Sequence, residues 1–290
     1  MKKITVKIPA KINLTLDVLG VSGKYHDIKS LIASINVFDA ITISERKDNR
    51  ITLTCKGRPI GCNIADNNAY KTAKLFKENY SVKGVDITIQ KNIPVGGGLG
   101  GSSADVAGVL LGMKALFNVN AKLEPLANEL GSDCLFMLSG GYGVMSGRGD
   151  VVEKKSFDKV FPLLLITEKG MISARNAYKR YDEEGKSFLP STDTAVRALE
   201  EGKEEEFYNA LDNHLESSAK ALMPDLEFNL GALKKAGAKV AHTTGSGPTV
   251  FGIFSSTRER NLAYNKLKPL FGDALIKAET LVNPVMISGK

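Results

Sequence analysis

One stretch of residues carries side chains and backbone suited to phosphate chemistry. It is the run Pro94, Val95, Gly96, Gly97, Gly98, Leu99, Gly100, Gly101, Ser102, Ser103, which passes directly into an apolar helical pattern. Glycines without a Cβ allow a tight turn and close approach to an anion, and a helix opening behind them offers unpaired N–H groups and the positive end of its dipole. Ser102 and Ser103 place hydroxyls where they can cap that helix or touch a phosphate or its metal. Elsewhere the residues alone are less telling: Lys11 and Asn13 share one face of a strand-like alternation and read as a solvated strand face, and Tyr25-His26 reads as a half-exposed loop.

Spacing narrows the kind of loop. A Walker A motif needs Gly, four residues, then Gly-Lys-Ser or Gly-Lys-Thr. The sole Gly-Lys-Ser, at Gly185 to Ser187, has Arg180 where the first glycine belongs and reads as a surface turn. Gly96, Gly98 and Gly101 satisfy the dinucleotide pattern, which also requires a parallel strand after the helix and an acid about 20 residues on. Here Leu123, Leu126, Ala127 and Leu130 mark a second helix instead, so that reading ranks second. The elements that must hold the loop are legible. Val85, Ile87 and Ile89 alternate as a strand before it; Val106, Val109, Leu110, Met113, Leu116 and Phe117 recur on one helical face after it.

The glycine run, Pro9-Ala10-Lys11-Ile12-Asn13-Leu14, Tyr25-His26, Gly131-Ser132-Asp133 and Thr244 to Pro248, taken in order, resemble the motifs of the GHMP kinases. Within that superfamily they resemble the branch that phosphorylates the 2-hydroxyl of a cytidine diphosphate derivative of methylerythritol, in the non-mevalonate route to isoprenoid precursors. The resemblance spans nearly the whole chain. It implies ATP as donor, with Mg2+, on Pro94, Gly96, Gly97, Gly98, Leu99, Gly100, Gly101, Ser102 and Ser103, with Asn68 near the adenine and Lys91 flanking the nucleotide. It implies Asp133 and Lys11 as the catalytic pair, Asp133 orienting or deprotonating the hydroxyl and Lys11 neutralising developing charge, with an ordinary ion pair as the plainer reading. It places Asn13, Tyr25, His26, Tyr178, Gly245 and Ser246 on the acceptor, with the two tyrosines stacking on the base and His26 bonding its edge. Two positions depart from the pattern: Lys24 stands for a glycine before Tyr25, and Leu135 for a proline after Asp133. The metal ligands are not legible. A different hydroxyl acceptor, or a nucleotide-binding relative without catalysis, are the alternatives.

The residues also admit plainer readings. Asp133 and Asn68 are good helix caps, Lys91 could be an exposed strand end, Tyr178 could be core, and Asn213-His214-Leu215-Glu216 suits helix packing.

Composition sets outer bounds. The chain has 290 residues, 43% hydrophobic and 24% charged, with a net charge of +7. These values fit a globular protein large enough for two compact domains. The positive balance suits phosphorylated ligands; nucleic-acid binding is disfavoured because no block of five or more Lys/Arg occurs. Three cysteines without a C-x-x-C argue against a disulfide framework or zinc site. No apolar run approaches the roughly 20 residues of a membrane span, and the expected location is the cytoplasm.

Strands are expected at Ile4 to Ile8, Ile12 to Val18, Ile28 to Ser44, Ile51 to Cys55 and Phe161 to Ile166, and helices from Asn68 and over Asp193 to Glu201, Lys203 to Ala221 and Leu226 to Ala236. A hairpin around Gly245 to Gly247, a helix opened by Ser256 and Glu259, and a strand from Leu275 to Val282 close the chain. The fold class is α+β. The resemblance implies a two-domain GHMP kinase fold: a nucleotide-loop domain over 1–153 and an α/β sandwich domain over 154–290, with the site between them.

Overall fold

The computed structural model describes residues 2–23, 25–59, 61–185 and 188–289. Lys24, and Lys186 and Ser187 of the Gly-Lys-Ser turn, lie outside them. The period-two pattern at the start forms β1 (Lys3–Asn13), which buries Ile4, Val6 and Ile8 and runs past Pro9 through a register shift. After β2 (Asp17–Ser22) comes β3 (Tyr25–Glu45), a 21-residue strand on which the sheet is assembled. Its different stretches pair with β1, with β2 and with three later strands. β4 (Ile51–Gly57) pairs parallel with β5 (Val85–Lys91), and α1 (Asn68–Tyr80) connects them.

The glycine run leads from β5 into α2 (Gly101–Phe117), a helix buried on nearly all sides. Its Val106, Val109, Leu110 and Met113 are fully covered, each contributing about 1.5–3 kcal/mol of burial free energy. α3 (Glu124–Leu130), α4 (Cys134–Ser139), β6 (Tyr142–Gly147) and β7 (Val151–Lys155) complete the first unit.

The second unit is built on β8 (Pro162–Ile166), whose unbroken apolar run is buried. α5 (Ala174–Glu184), α6 (Thr192–Glu200), α7 (Glu204–Ala210), α8 (Glu216–Leu222) and α9 (Asp225–Lys235) follow. Then come β9 (Val240–Thr243), β10 (Val250–Ile253), α10 (Thr257–Phe271), β11 (Leu275–Leu281) and β12 (Met286–Gly289). β11 pairs with both β8 and β3, so one sheet path runs through both units, and β12 returns to pair with β1. The α+β architecture is as expected. No helix among the described residues is long and apolar enough to cross a membrane.

One expected element is divided. The continuous helix read from Lys203 to Ala221 breaks into α7 and α8 because residues 212–214 are drawn into a bridge with the first unit. Leu16 N–H donates to Asp212 C=O at 2.9 Å and His214 N–H to Leu16 C=O at 2.9 Å. His214 is buried there, its Nδ1 accepting the Val18 N–H at 2.9 Å, a structural role in a bridge rather than on a helix face.

Candidate active site

The glycine loop is clamped from both units. Lys11 N–H on β1 donates to Leu99 C=O at 3.0 Å, and Thr249 N–H, before β10, reaches Gly97 C=O at 3.4 Å. Gly98 adopts φ +75°, and a Cβ there would sit 2.6 Å from the Thr244 carbonyl oxygen, so only glycine fits between the loop and the 244–249 turn. Gly100, at φ 72°, caps α2 without a side chain, leaving the first N–H groups of α2 facing a cavity. That cavity, of about 480 Å3, is lined by the residues 94–103 together with Asn68, Lys91, Asp105 and Met171.

The cap of α1 is Asn67, whose side chain accepts from Ala69 N–H. Asn68 is thereby free of capping, and its Nδ2 donates to Ser102 Oγ at 2.9 Å, on the cavity wall. Lys91 is not an exposed strand end. It is buried, and its ammonium bonds Asp39 and Asp105, each at 2.6 Å, and the Gly101 carbonyl at 2.9 Å. Asp39 in turn accepts the N–H groups of Asn92 and Ile93 at the entry to the loop. Burial works against the Lys91 charge, but the two carboxylates outweigh it and hold the ammonium above its ordinary range. Burial pushes the Asp105 carboxyl well above the usual carboxylate range, with Lys91 opposing. Lys91 thus acts on the loop through its backbone, and neither Asp39 nor Asp105 was singled out by sequence.

A second cavity, about 360 Å3, shares Gly98, Gly100 and Ser103 with the first. Into it project Lys11, Asn13, Asp133, Arg148, Tyr178, Gly245 and Ser246. Lys11 Nζ lies 3.2 Å from Asp133 Oδ2 and donates to Asn13 Oδ1 at 2.7 Å. Asn13 is fixed by its own N–H to Thr244 Oγ1 and by Nδ2 to Ser30 Oγ. Asp133 stands at the N-cap of α4, but its side chain makes no capping bond there and is turned to Lys11. Leu135, in place of the family's proline, sits in the first turn of α4, and Asp133 still reaches Lys11. Cys134 beside it is no competing nucleophile, since burial pushes its thiol up to about 11. Gly245 is held by Asn213, whose Nδ2 donates to its carbonyl at 2.9 Å, and Ser246 Oγ reaches the Ile172 carbonyl.

The aromatic residues gather differently from an open slot between two tyrosines. The His26 ring is stacked on Tyr178, with centroids 4.5 Å apart, and its Nε2 meets Asp182 Oδ1 at 2.8 Å. Tyr25 is exposed, with the Arg148 guanidinium 5.2 Å from its ring centre. No ring contact joins Tyr25 to Tyr178 among the described residues. Tyr178 lines the second cavity, and burial with the Asp133 charge nearby raises its phenol to about 12, so it stays protonated.

A glycine loop with a helix N-terminus lies beside an ion pair of buried Lys11 and half-buried Asp133, an arrangement suited to phosphoryl transfer. The family models "GHMP kinases N terminal domain" and "GHMP kinases C terminal" match residues 67–148 and 195–273. The chain belongs to the GHMP kinase family, ATP-dependent enzymes that act on an alcohol. It is 35% identical to a 4-diphosphocytidyl-2-C-methyl-D-erythritol kinase of Macrococcus caseolyticus over 90% of this chain and 93% of that one. It is 34% identical to the Bacillus cytotoxicus protein of the same name, over 92% and 93%. A crystal structure of a 4-(cytidine 5'-diphospho)-2C-methyl-D-erythritol kinase superposes with TM-score 0.76 at 26% identity, covering 100% of this chain and 98% of that one. Homoserine kinase from Cytophaga hutchinsonii, at 18% identity and TM-score 0.75, shares the fold, covering 99% and 97%.

Proposed function

We propose that the chain transfers the γ-phosphoryl group of ATP to the 2-hydroxyl of 4-diphosphocytidyl-2-C-methyl-D-erythritol, a cytoplasmic step toward isoprenoid precursors. The observation that carries this reading is the meeting of the two cavities at Gly98, Gly100 and Ser103, with Lys11 and Asp133 just across the junction. ATP occupies the first cavity, its phosphates on Gly96 to Ser103 and its adenine toward Asn68; the acceptor occupies the second. Residues 1–153 then form the nucleotide-loop domain and 154–290 the domain that closes over the acceptor.

Phosphoryl transfer passes through a loose, strongly anionic transition state, so positioning and charge stabilisation do most of the work. Asp133 accepts the hydroxyl proton's hydrogen bond and aims the oxygen at the γ-phosphorus. With its Oδ2 3.2 Å from the Lys11 ammonium, the carboxylate is fixed in direction, which suits orienting the hydroxyl. Lys11, steered by Asn13, holds Asp133 in place and faces the charge that develops on transfer. The donor set also fits Mg2+, which takes few protein ligands and is completed by phosphates and water. The Ser103 hydroxyl and the Asp133 carboxylate line the second cavity at its junction with the nucleotide, and no cluster of three His, Cys, Asp or Glu occurs among the described residues. Mg2+ held there would offset triphosphate charge.

The base end is assigned to Tyr25, His26 and Tyr178. His26 already covers one face of Tyr178, so a cytosine takes the other face or displaces the imidazole. The same stacking favours a second reading, an acceptor alcohol without a base. Turnover with radiolabelled ATP of a panel containing the cytidine compound, mevalonate and homoserine separates them. The first reading requires the highest kcat/KM for the cytidine compound; a higher value for a base-free alcohol selects the second.

A further inference from the structure

We infer that Arg148 binds the diphosphate bridge of the acceptor and selects nucleotide-bearing alcohols over bare ones, an inference that rests on the acceptor reading above. A cytidine diphosphate acceptor carries two negative charges between its base and its reacting hydroxyl. Among the described residues, two cationic side chains line the second cavity, Lys11 and Arg148. Lys11 is 5% exposed and committed to Asp133 and Asn13, so it serves the transfer centre. Of these two, Arg148 remains available.

Its placement matches the middle of the acceptor. The turn between β6 and β7 carries it, pinned by Asp150, whose Oδ1 accepts the Arg148 N–H at 3.0 Å. The next residue, Gly149, packs so closely on the segment before α4 that a Cβ would lie 3.1 Å from Ser132 Cβ, one residue from Asp133. On its other side the guanidinium lies over the Tyr25 ring. A ligand with its base among Tyr25, His26 and Tyr178 and its hydroxyl at Asp133 must pass Arg148.

The chemistry agrees with the placement. A guanidinium has five N–H donors in a planar fork that matches phosphate oxygens two at a time. One of them, on Nη2, is given to Asp150 Oδ2 at 3.2 Å, and the guanidinium makes no other hydrogen bond among the described residues. The side chain is 55% exposed, so engaging it entails little desolvation, while stacking on Tyr25 and the Asp150 contact restrict its rotamers beforehand. The pair with Asp150 alone would be an ordinary exposed ion pair of little energetic consequence.

The test compares wild type with Arg148→Met, which keeps the apolar stem over Tyr25, and Arg148→Lys. With the cytidine diphosphate acceptor, Arg148→Met should raise the acceptor KM about 10- to 100-fold, the scale of lost charge-assisted bonds, with kcat and the KM for ATP nearly unchanged. Arg148→Lys should recover part of the loss. In calorimetry, Arg148→Met should weaken cytidine diphosphate and leave cytidine unaffected, a split that a merely structural turn would not produce. If wild type turns the acceptor over and Arg148→Met has the same acceptor KM, or loses cytidine and its diphosphate alike, the inference is overturned while the acceptor reading stands. If wild type neither turns it over nor binds cytidine diphosphate, the acceptor reading falls and takes the inference with it.

Discussion

Replacing Lys91 with methionine should be among the most damaging single changes near the nucleotide, although Lys91 acts on the loop through its backbone. The ammonium compensates two carboxylates, Asp39 with no exposed surface and Asp105 with 6%. Removing one partner of a buried ion pair typically costs about 3–5 kcal/mol, because the other charge stays buried and uncompensated. Two features place this site at the low end. Asp39 keeps the N–H groups of Asn92 and Ile93, and Asp105, already shifted upward by burial, can relieve itself by taking a proton. We expect Lys91→Met to lose about 3 kcal/mol in urea unfolding at pH 7, and less at pH 5.5, where protonating Asp105 is easier. Adding Asp105→Asn should restore part of the loss. ATP affinity should fall in Lys91→Met as well, since the Gly101 carbonyl at the start of α2 loses its anchor. A Lys91→Met protein within about 1 kcal/mol of wild type, the scale of an exposed pair, would refute the buried-charge reasoning.

Other outcomes follow from the same geometry. Asp133→Asn should cut kcat on the order of 10²-fold or more with nucleotide affinity within a few-fold of wild type, and Lys11→Met should behave similarly; full turnover by Asp133→Asn would remove it from the transfer step. Tyr178→Ala should raise the acceptor KM with little change in the KM for ATP, by roughly the 1–3 kcal/mol of one base stack, as checked by steady-state kinetics. The Glu216 carboxyl is buried, which raises its pKa, but the His242 ring and the Thr243 N–H outweigh this and lower it. A carboxyl depressed in the folded state adds stability above its unfolded pKa and loses it as pH falls through the folded value. Urea midpoints should therefore drop below about pH 4.5, less steeply in Glu216→Gln; parallel pH profiles for the two proteins would contradict this.

The glycine loop, its helix and the strand before it were legible because each is local: composition and period suffice to read them. Ambiguity fell where a residue suits two roles. Asp133 has the type and position of a helix cap, yet its side chain makes no capping bond and meets Lys11, on a strand at the other end of the unit. Asn67 and Asn68 are interchangeable by type, yet one caps α1 and its neighbour touches Ser102. The Lys91 partners lie 52 and 14 residues away, beyond what spacing along one element reveals. The stack of His26 on Tyr178 depends on how α5 docks against β3, so two rings read as facing a base turn out to touch each other. The helix expected over Lys203 to Ala221 had good propensity, and a long-range bridge to Leu16 overrode it.

Phosphorus NMR of a reaction containing the protein, ATP, Mg2+ and 4-diphosphocytidyl-2-C-methyl-D-erythritol tests the central proposal most directly. One new phosphomonoester resonance should grow in step with ADP, correlate with the carbon bearing the 2-hydroxyl, and leave the diphosphate bridge intact. ADP formed without that resonance, or transfer to another hydroxyl, would contradict the assignment of the two cavities and of the Lys11–Asp133 pair between them.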